Sequence, residues 1–273
     1  MKSRTYAERH ADALEVLHGF TAGAMAGEET ASAMSARLGP LGTFAIDVVL
    51  GDVWARPQLS RRDRSLIVIS VLATIGSTEE LGLHTGFGLN NGLTRAEIEE
   101  LLLHVAAYAG YPMAMQASRV IDARFRALDG VEQLPPRAAG DKLDDEERMR
   151  RAADVRQTLT KGKALADPTA DMAALISHLG EVGRIAYLWA FGDVWSRTAL
   201  SRRDRSMAVI AILTVLSRAD ELAFHIPAGL NHGLTREEVE EIMVQMTIYG
   251  GIPRAVEGAR AMKAAFAKLD ARG

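Results

Sequence analysis

Apolar residues recur among polar ones at the spacing that is typical of α-helices. Glycine or proline interrupts this pattern at intervals. The spacing predicts helices near Tyr6 to His18, Glu28 to Leu38, Glu147 to Leu159 and Ala170 to Leu179. No segment shows a convincing strand pattern. The sequence therefore predicts an all-α fold.

The apolar runs Ser65 to Leu72 and Met207 to Leu213 are ambiguous when each is considered alone. The first run is rich in β-branched residues and is also compatible with a buried strand. The second run carries better helix formers. Ser60 and Ser201 precede the two runs, each with an aspartate three residues later, which is typical of a helix N-cap with an acid in the first turn. Both runs are therefore predicted to be helices that are buried on most sides.

Two further pairs of residues mark the ends and beginnings of predicted helices. Gly92 and Gly233 stand where a preceding helix would end in the left-handed conformation. Thr94 and Thr235 are each followed three residues later by glutamate, which is the pattern of a capping box. These four residues are expected to have folding roles.

The chain contains an internal repeat, since the segment Gly51 to Leu128 recurs without a gap as Gly192 to Leu269. Both copies contain GDVW, LSRRDRS, E-L-x-x-H, G-L-N-x-G-L-T-R-x-E and Y-x-G-x-P, while the neighbouring residues differ. Retention of polar as well as apolar residues suggests a duplicated site. The expected organisation is a helical unit over residues 1–130, a proline-containing and acidic linker over 131–146, and a second helical unit over 147–273.

Composition narrows the class of protein. The 273 residues are 48% hydrophobic and 25% charged, as in ordinary globular proteins. A formal net charge of −3 gives no overall attraction to nucleic acid, so a nucleic-acid partner is not expected. The N-terminal segment lacks the apolar core of a signal peptide, and no stretch approaches the ~18 apolar residues of a membrane span, so a soluble cytoplasmic protein is expected. The absence of cysteine excludes disulfides, thiolate metal sites and CxxC redox chemistry.

Glu80 with His84, and Glu221 with His225, are the candidate catalytic pairs. The residues of each pair are four apart, so a helix places them on one face. A carboxylate beside an imidazole can fix its tautomer and raise its pKa, giving a general acid or base near neutral pH. A single copy would more often be structural, but both residues persist in both copies. No metal is expected, because there is no H-E-x-x-H and no third ligand that both copies share.

Three further residue types, each retained in both copies, are candidate contacts to a substrate. The arginines could bind a carboxylate, the asparagines could donate to a substrate oxygen, and the tryptophans could line a pocket. Ordinary structural roles stay open for all of them, as salt-bridge partners, helix C-caps and core residues. The candidates are Arg64, Arg205, Asn90, Asn231, Trp54 and Trp195.

Together these residues resemble the γ-carboxymuconolactone decarboxylase family. The resemblance rests on GDVWARP-x-LSRRDRSL, EL-x-x-H, GLNNGLTRAEIEE and YAGYPMA in the first copy, and on GDVWSR-x-x-LSRRDRSM, ELAFH, GLNHGLTREEVEE and YGGIPRA in the second. It implies two tandem all-helical units of the carboxymuconolactone decarboxylase and alkylhydroperoxidase-like fold. Members with one unit assemble into trimer-derived rings, often hexamers, so a tandem chain is expected to form a homotrimer that imitates a hexamer.

The resemblance also implies a function: cofactor-free decarboxylation of a small carboxylated lactone or related carbonyl acid in aromatic catabolism. By position, His84 and His225 would transfer the proton, while Glu80 and Glu221 would orient them. The peroxidase-like branch of the family uses a CxxC pair, which this cysteine-free chain cannot supply.

Some positions depart from the family pattern or differ between the copies. The decarboxylases commonly carry arginine two residues after the histidine, whereas Gly86 and Pro227 stand here, so that carboxylate anchor is missing. His104 aligns with Gln245, so an imidazole is not required there in both copies. The alternative is therefore kept open that the protein is a non-catalytic helical oligomer or a small-molecule-binding protein of the same fold.

Overall fold

The computed structural model describes residues 3–24 and 27–271, and within these ranges the chain is helical with no strand. The all-α prediction is confirmed. None of the described helices combines the length and apolar character that crossing a membrane requires. The helices of the first half are α1 (Tyr6–Phe20), α2 (Gly27–Leu38), α3 (Pro40–Phe44), α4 (Arg61–Ile75), α5 (Thr78–Asn90), α6 (Arg95–Tyr108) and α7 (Tyr111–Asp129).

The second half repeats this order of elements. Residues 131–144 contain no helix and lie between the two halves. In each half a π-helix directly continues a short α-helix: Ala45–Trp54 continues α3, and Ala186–Val194 continues α10. The helices of the second half are α8 (Asp145–Leu159), α9 (Pro168–Leu179), α10 (Glu181–Ile185), α11 (Arg202–Val215), α12 (Ala219–Asn231), α13 (Arg236–Tyr249) and α14 (Ile252–Asp270).

The two ambiguous apolar runs lie in α4 and α11, so both are helical as predicted. Ser60 accepts a hydrogen bond from the backbone N–H of Asp63 at 3.1 Å, and Ser201 caps α11 in the same way. Both helices are buried on nearly every side. This explains why the first run shows no amphipathic pattern, since a helix surrounded by protein has no solvent face to keep polar.

The two halves share one hydrophobic core. Helices α4 and α11 pack against each other, and the buried residues around them form a single continuous cluster. Reciprocal ion pairs flank this contact: Arg62 binds Asp204 at 2.9 Å, and Arg203 binds Asp63 at 2.9 Å. The described halves are therefore joined by apolar and charged contacts related by approximate two-fold symmetry.

The π-helices were not predicted from the sequence, although the retained GDVW motif lies at their ends. A Cβ atom added to Gly51 would come within 2.5 Å of the carbonyl oxygen of Arg9 in α1, and Gly192 lies equally close to the carbonyl of Arg148 in α8. Only glycine allows this close packing. The two glycines thus fix how the π-helices pack, and each π-helix brings a tryptophan, Trp54 or Trp195, to its end.

The predicted helix boundaries at the repeated G-L-N-x-G-L-T-R-x-E motif are confirmed. Gly92 and Gly233 have φ values of 100° and 99°, in the region that favours glycine. Thr94 and Thr235 begin α6 and α13 with complete capping boxes. These motifs set the length of α5 and α12, the helices that carry the two candidate histidines.

Candidate functional site

An aromatic cage surrounds His84. The imidazole is 9% exposed, and the Trp54 ring lies nearly parallel to it, with centroids 6.1 Å apart and planes 15° apart. Phe87, one turn further along α5, meets the imidazole edge-on at 5.4 Å, and Phe20 from α1 stacks on Phe87 at 4.6 Å. The predicted residues His84 and Trp54 therefore meet in one site.

The first site is completed by Tyr249, which belongs to the second half of the chain. The indole N–H of Trp54 donates to the tyrosine hydroxyl at 2.9 Å. That hydroxyl lies 3.3 Å from Nε2 of His84. Trp54, Tyr249 and His84 thus form a hydrogen-bonded chain that joins the two halves.

The second site repeats this arrangement with the roles of the halves exchanged. Trp195 donates to the hydroxyl of Tyr108 at 2.9 Å, and that hydroxyl lies 3.5 Å from Nε2 of His225. The Trp195 and His225 rings are 6.1 Å apart and nearly parallel. We call each set of tryptophan, tyrosine and histidine a triad. Both triads lie within one chain, at the junction of its halves.

The tyrosines of the triads were missed by the sequence reasoning. Both stand in the Y-x-G-x-P motif that recurs in the two copies. Their retention in both copies was an available signal. Their pairing with the histidine of the other half was not, because it depends on how the halves pack.

Burial dominates the electrostatics of the two histidines. It lowers the pKa of His84 to about 4, against which the negative charge of Glu80 acts only weakly. Burial, followed by the charge of His232, lowers the pKa of His225 to about 3. The sequence led us to expect that the carboxylate would raise the imidazole pKa, and the effect of desolvation is larger. Both imidazoles are therefore neutral at pH 7.

The tyrosines are also held in their neutral form. Burial raises the pKa of Tyr249 well above its usual value of 10, although the hydrogen bond from Trp54 opposes this shift. Burial also raises the pKa of Tyr108, and the charge of Glu221 adds to it. Each hydroxyl therefore keeps its proton and can donate it to a neighbouring imidazole.

His84 retains one nitrogen without a partner. Its Nδ1 atom is buried and has no hydrogen bond to any residue that the structure describes. The Tyr249 hydroxyl oxygen already accepts a hydrogen bond from the indole N–H of Trp54. We therefore assign the hydroxyl proton of Tyr249 to a hydrogen bond with Nε2 of His84. The single ring proton of the neutral imidazole then lies on Nδ1. This arrangement leaves a buried N–H donor of His84 without a hydrogen-bond acceptor among the described residues.

The candidate orienting glutamates lie on the protein surface. Glu80 is exposed and accepts a hydrogen bond from the Ser77 hydroxyl at 2.5 Å, near the beginning of α5. Neither Glu80 nor Glu221 forms a hydrogen bond to its histidine in the described part of the chain. The orienting role stays a prediction, and here their influence on the triads is through charge.

The arginine candidates are fully buried and already engaged with the opposite half. Arg64 donates to Gln245 and Glu241, each at 2.9 Å. Arg205 donates to His104 at 2.9 Å and forms an ion pair with Glu100 at 2.8 Å. Their substrate contacts stay predictions.

The same contacts explain the exchange of His104 for Gln245 between the copies. Each residue is an acceptor for the buried arginine of the other half. Burial, with the charge of Arg205, lowers the pKa of His104 well below its usual value, which keeps the accepting nitrogen free of a proton. The exchange therefore conserves a hydrogen bond rather than an imidazole.

The asparagine candidates tie neighbouring helices together. Asn90 donates to the carbonyl oxygen of Phe20 at 2.6 Å, and Asn231 donates to that of Leu159 at 2.7 Å. Each bond satisfies a free carbonyl near the end of α1 or α8. Contacts with a substrate oxygen stay a prediction for both amides. Within residues 3–24 and 27–271, no three His, Asp or Glu side chains are grouped as a metal site would require.

Comparison with known proteins adds to this geometry. The sequence profile of the carboxymuconolactone decarboxylase family matches residues 41–123 and 181–264, which together exceed half of the chain. The chain belongs to this family. Each matched range contains one tryptophan, one histidine and one tyrosine of the triads. The tyrosine of each range belongs to the triad of the other half.

Two curated relatives of this carboxymuconolactone decarboxylase family protein carry names that describe an activity. One is 4-carboxymuconolactone decarboxylase of Acinetobacter baylyi, 42% identical over 78 residues, which cover 29% of this chain and 58% of the relative. Another is nitrosuccinic acid decarboxylase of Metarhizium robertsii, 45% identical over 67 residues, which cover 24% of this chain and 47% of the relative. The chain spans about half the length of these relatives.

Proposed function

We propose that the chain is a cofactor-free decarboxylase of a small carboxylated lactone or a related carbonyl acid, as in aromatic catabolism. Membership of the family supports this proposal, as do the names of the two relatives, which are decarboxylases of different acids. The single observation that carries it is the first triad, in which the buried neutral His84 keeps an unused N–H while Tyr249 from the other half contacts Nε2.

The proposed reaction begins when an anionic substrate enters beside the imidazole. A negative charge close to a buried histidine favours the imidazolium, so binding of the acid raises the pKa of the histidine and draws a proton from water. The imidazolium then lies against the carboxylate that is to be lost. The low pKa of His84 in the free protein, about 4, ensures that this charge appears only with substrate.

Carbon–carbon cleavage follows. The bond between the carboxylate and the substrate breaks, its electron pair moves into the conjugated carbonyl to give an enolate, and CO₂ leaves. The imidazolium donates its proton to carbon and returns to the neutral form, so the proton taken from water ends in the product. The hydroxyl of Tyr249 holds the ring in place throughout, because it contacts Nε2.

In this proposal the buried arginines are positioning residues. Arg64 binds Glu241 on α13, the helix that ends at Tyr249, so it fixes the helix that brings the tyrosine to His84. Arg205 binds Glu100 on α6, the helix that ends at Tyr108. The guanidinium groups thus act on the site through the tyrosines.

The test is release of CO₂ from a panel of acids by the purified full-length protein. 4-Carboxymuconolactone and nitrosuccinate are the first two members, followed by other carboxylated lactones and β-carbonyl acids. We expect catalysed release from at least one of them, without added metal or cofactor. CO₂ release at the uncatalysed rate from every acid of the panel would contradict the proposal and favour the non-catalytic alternative. The deep burial of both imidazoles is the observation that supports this alternative.

A further inference from the structure

A pocket distinct from the triads lies in the second half of the chain. It has a volume of about 580 Å³ and lies between α12, α14 and the segment that follows α8. Phe224, Pro227 and Ala228 form an apolar wall on α12. Among the residues that the structure describes, none that lines the pocket carries a carboxylate. The Phe224 ring also contacts His225 edge-on at 5.1 Å, so the pocket is adjacent to the second triad.

Lysines surround this pocket. Three of the six lysines of the chain line it, namely Lys161, Lys163 and Lys268. In the part of the chain that the structure describes, the lysine that forms an ion pair is Lys263, outside the pocket, and its partner is Glu240 at 3.8 Å. Within residues 3–24 and 27–271, the three pocket ammonium groups therefore form no ion pair, whereas most arginines of the chain do.

In the first half, larger side chains stand at two of the positions equivalent to this pocket. Phe20 and Phe87 stack there at 4.6 Å. The guanidinium group of Arg124 lies over Gly86, so close that a Cβ on that glycine would come within 2.5 Å of Nη2. The gapless repeat places Ala228, Ala265 and Pro227 where the first half has Phe87, Arg124 and Gly86. Two alanines therefore line the pocket where the first half has a phenylalanine and an arginine.

The lysines are also specific to the second half. The repeat aligns Lys268 with Ala127. Lys161 has a φ of 54° in the turn after α8, and Ala22 has a φ of 49° in the corresponding turn after α1. That correspondence aligns Lys163 with Ala24. The three lysines that line the pocket therefore have alanine as their counterparts in the first half.

We propose that this pocket binds a small organic carboxylate. The three ammonium groups attract the negative charge, and the apolar wall of Phe224, Pro227 and Ala228 takes up a ring or hydrocarbon body. An inorganic anion would satisfy the lysines but leave the apolar wall exposed. The site is a binding site in its own right, so it stands whether or not the triads catalyse decarboxylation.

The test uses benzene-1,3-dicarboxylate as the probe, titrated calorimetrically into the full-length protein at low salt. The neutral diamide of the same ring and inorganic phosphate are titrated in parallel. We expect the dicarboxylate to bind, and both comparison compounds to bind at least about tenfold more weakly. Equal affinity for phosphate would overturn the proposed ligand class, and absence of dicarboxylate binding would overturn the site.

Two variants locate the binding to this pocket. The triple change Lys161→Ala, Lys163→Ala, Lys268→Ala places alanine where the first half already has it, so the fold should be retained, and the affinity should fall at least about tenfold. The double change Lys142→Ala, Lys263→Ala removes two lysines outside the pocket and should leave the affinity within about twofold.

A second kind of variant fills the pocket while keeping its charge. Ala228→Phe restores the side chain found at Phe87 and should also abolish binding of the dicarboxylate. Circular dichroism confirms that each variant is folded. Unchanged affinity in both the triple lysine variant and Ala228→Phe would place the ligand elsewhere and contradict the proposal, irrespective of any decarboxylase activity.

Discussion

The hydroxyl of Tyr249, in the second half of the chain, lies 3.3 Å from Nε2 of His84 in the first half, and Tyr108 makes the reciprocal contact with His225 at 3.5 Å. Neither histidine therefore has its full set of partners within its own half. Because both halves belong to one chain, covalent linkage keeps each tyrosine beside the histidine of the other half. The triads are thus a property of the packed pair of halves.

The first prediction concerns these hydroxyls. Tyr249→Phe removes one hydrogen bond to His84 and leaves the indole N–H of Trp54 without its acceptor. We expect kcat to fall about 2- to 10-fold with little change in KM, and stability to fall by about 1–3 kcal/mol. Steady-state kinetics and urea unfolding measure the two effects. Tyr111→Phe, at a position 65% exposed, is the control and should change neither quantity.

The second prediction concerns pH and stability. In the unfolded chain a histidine has a pKa of about 6.5, whereas burial lowers the pKa of His84 to about 4 in the fold. Between these values the unfolded chain binds a proton that the folded chain does not, so stability must fall as pH falls through this interval. The loss amounts to about 3 kcal/mol for this histidine once the pH reaches the folded pKa.

Urea unfolding at pH 7 and pH 4.5 measures this linkage. His84→Gln should lose less stability between the two pH values than the wild-type chain does, because it no longer takes up that proton on unfolding. His18→Gln serves as a control, because this histidine at the end of α1 is exposed. An identical loss in wild type and His84→Gln would show that His84 is not held neutral by the fold.

The sequence predicted the helices better than it predicted the site. Capping signals at Ser60 and Thr94 and the repeat itself were sufficient to assign α4 and α6, because helix ends depend on local hydrogen bonds. The cross-half partners of His84 and Arg64 depend on how α4 packs on α11, and no local pattern encodes that packing. For the same reason the sequence could not show that burial would outweigh the charge of Glu80 at the imidazole.

The third prediction compares a buried ion pair with an exposed one. Arg64→Ala leaves the 2%-exposed carboxylate of Glu241 without one of its two arginine partners, and we expect a loss of about 3–5 kcal/mol in the free energy of unfolding. Arg95→Ala breaks an ion pair with Asp129 on the surface and should cost about 0–1 kcal/mol. Equal losses in urea unfolding would contradict the assigned role of Arg64.

The fourth prediction concerns assembly. Leu41 and Val182 stand at equivalent positions of α3 and α10 and are 65% and 68% exposed, and Phe44 and Ile185 are also exposed in both halves. Repeated exposed apolar residues are typical of a contact surface between subunits. We propose a homotrimer that imitates a hexamer of single units, with a mass about three times that of one chain. A light-scattering mass equal to that of one chain at micromolar concentration would contradict this assembly. The double change Leu41→Asp, Val182→Asp should lower the measured mass to that of one chain.

The central claim is that the triad histidines carry a proton to substrate carbon, and it is tested most directly by decarboxylation in D₂O. With an acid that the protein decarboxylates, the wild-type chain should place deuterium on the product carbon that receives the proton from the imidazolium. His84→Gln combined with His225→Gln should reduce the rate by about 10²–10⁴-fold, since glutamine retains hydrogen bonding but carries no acid–base function. Full activity of this double variant, with deuterium incorporated as in wild type, would contradict the account.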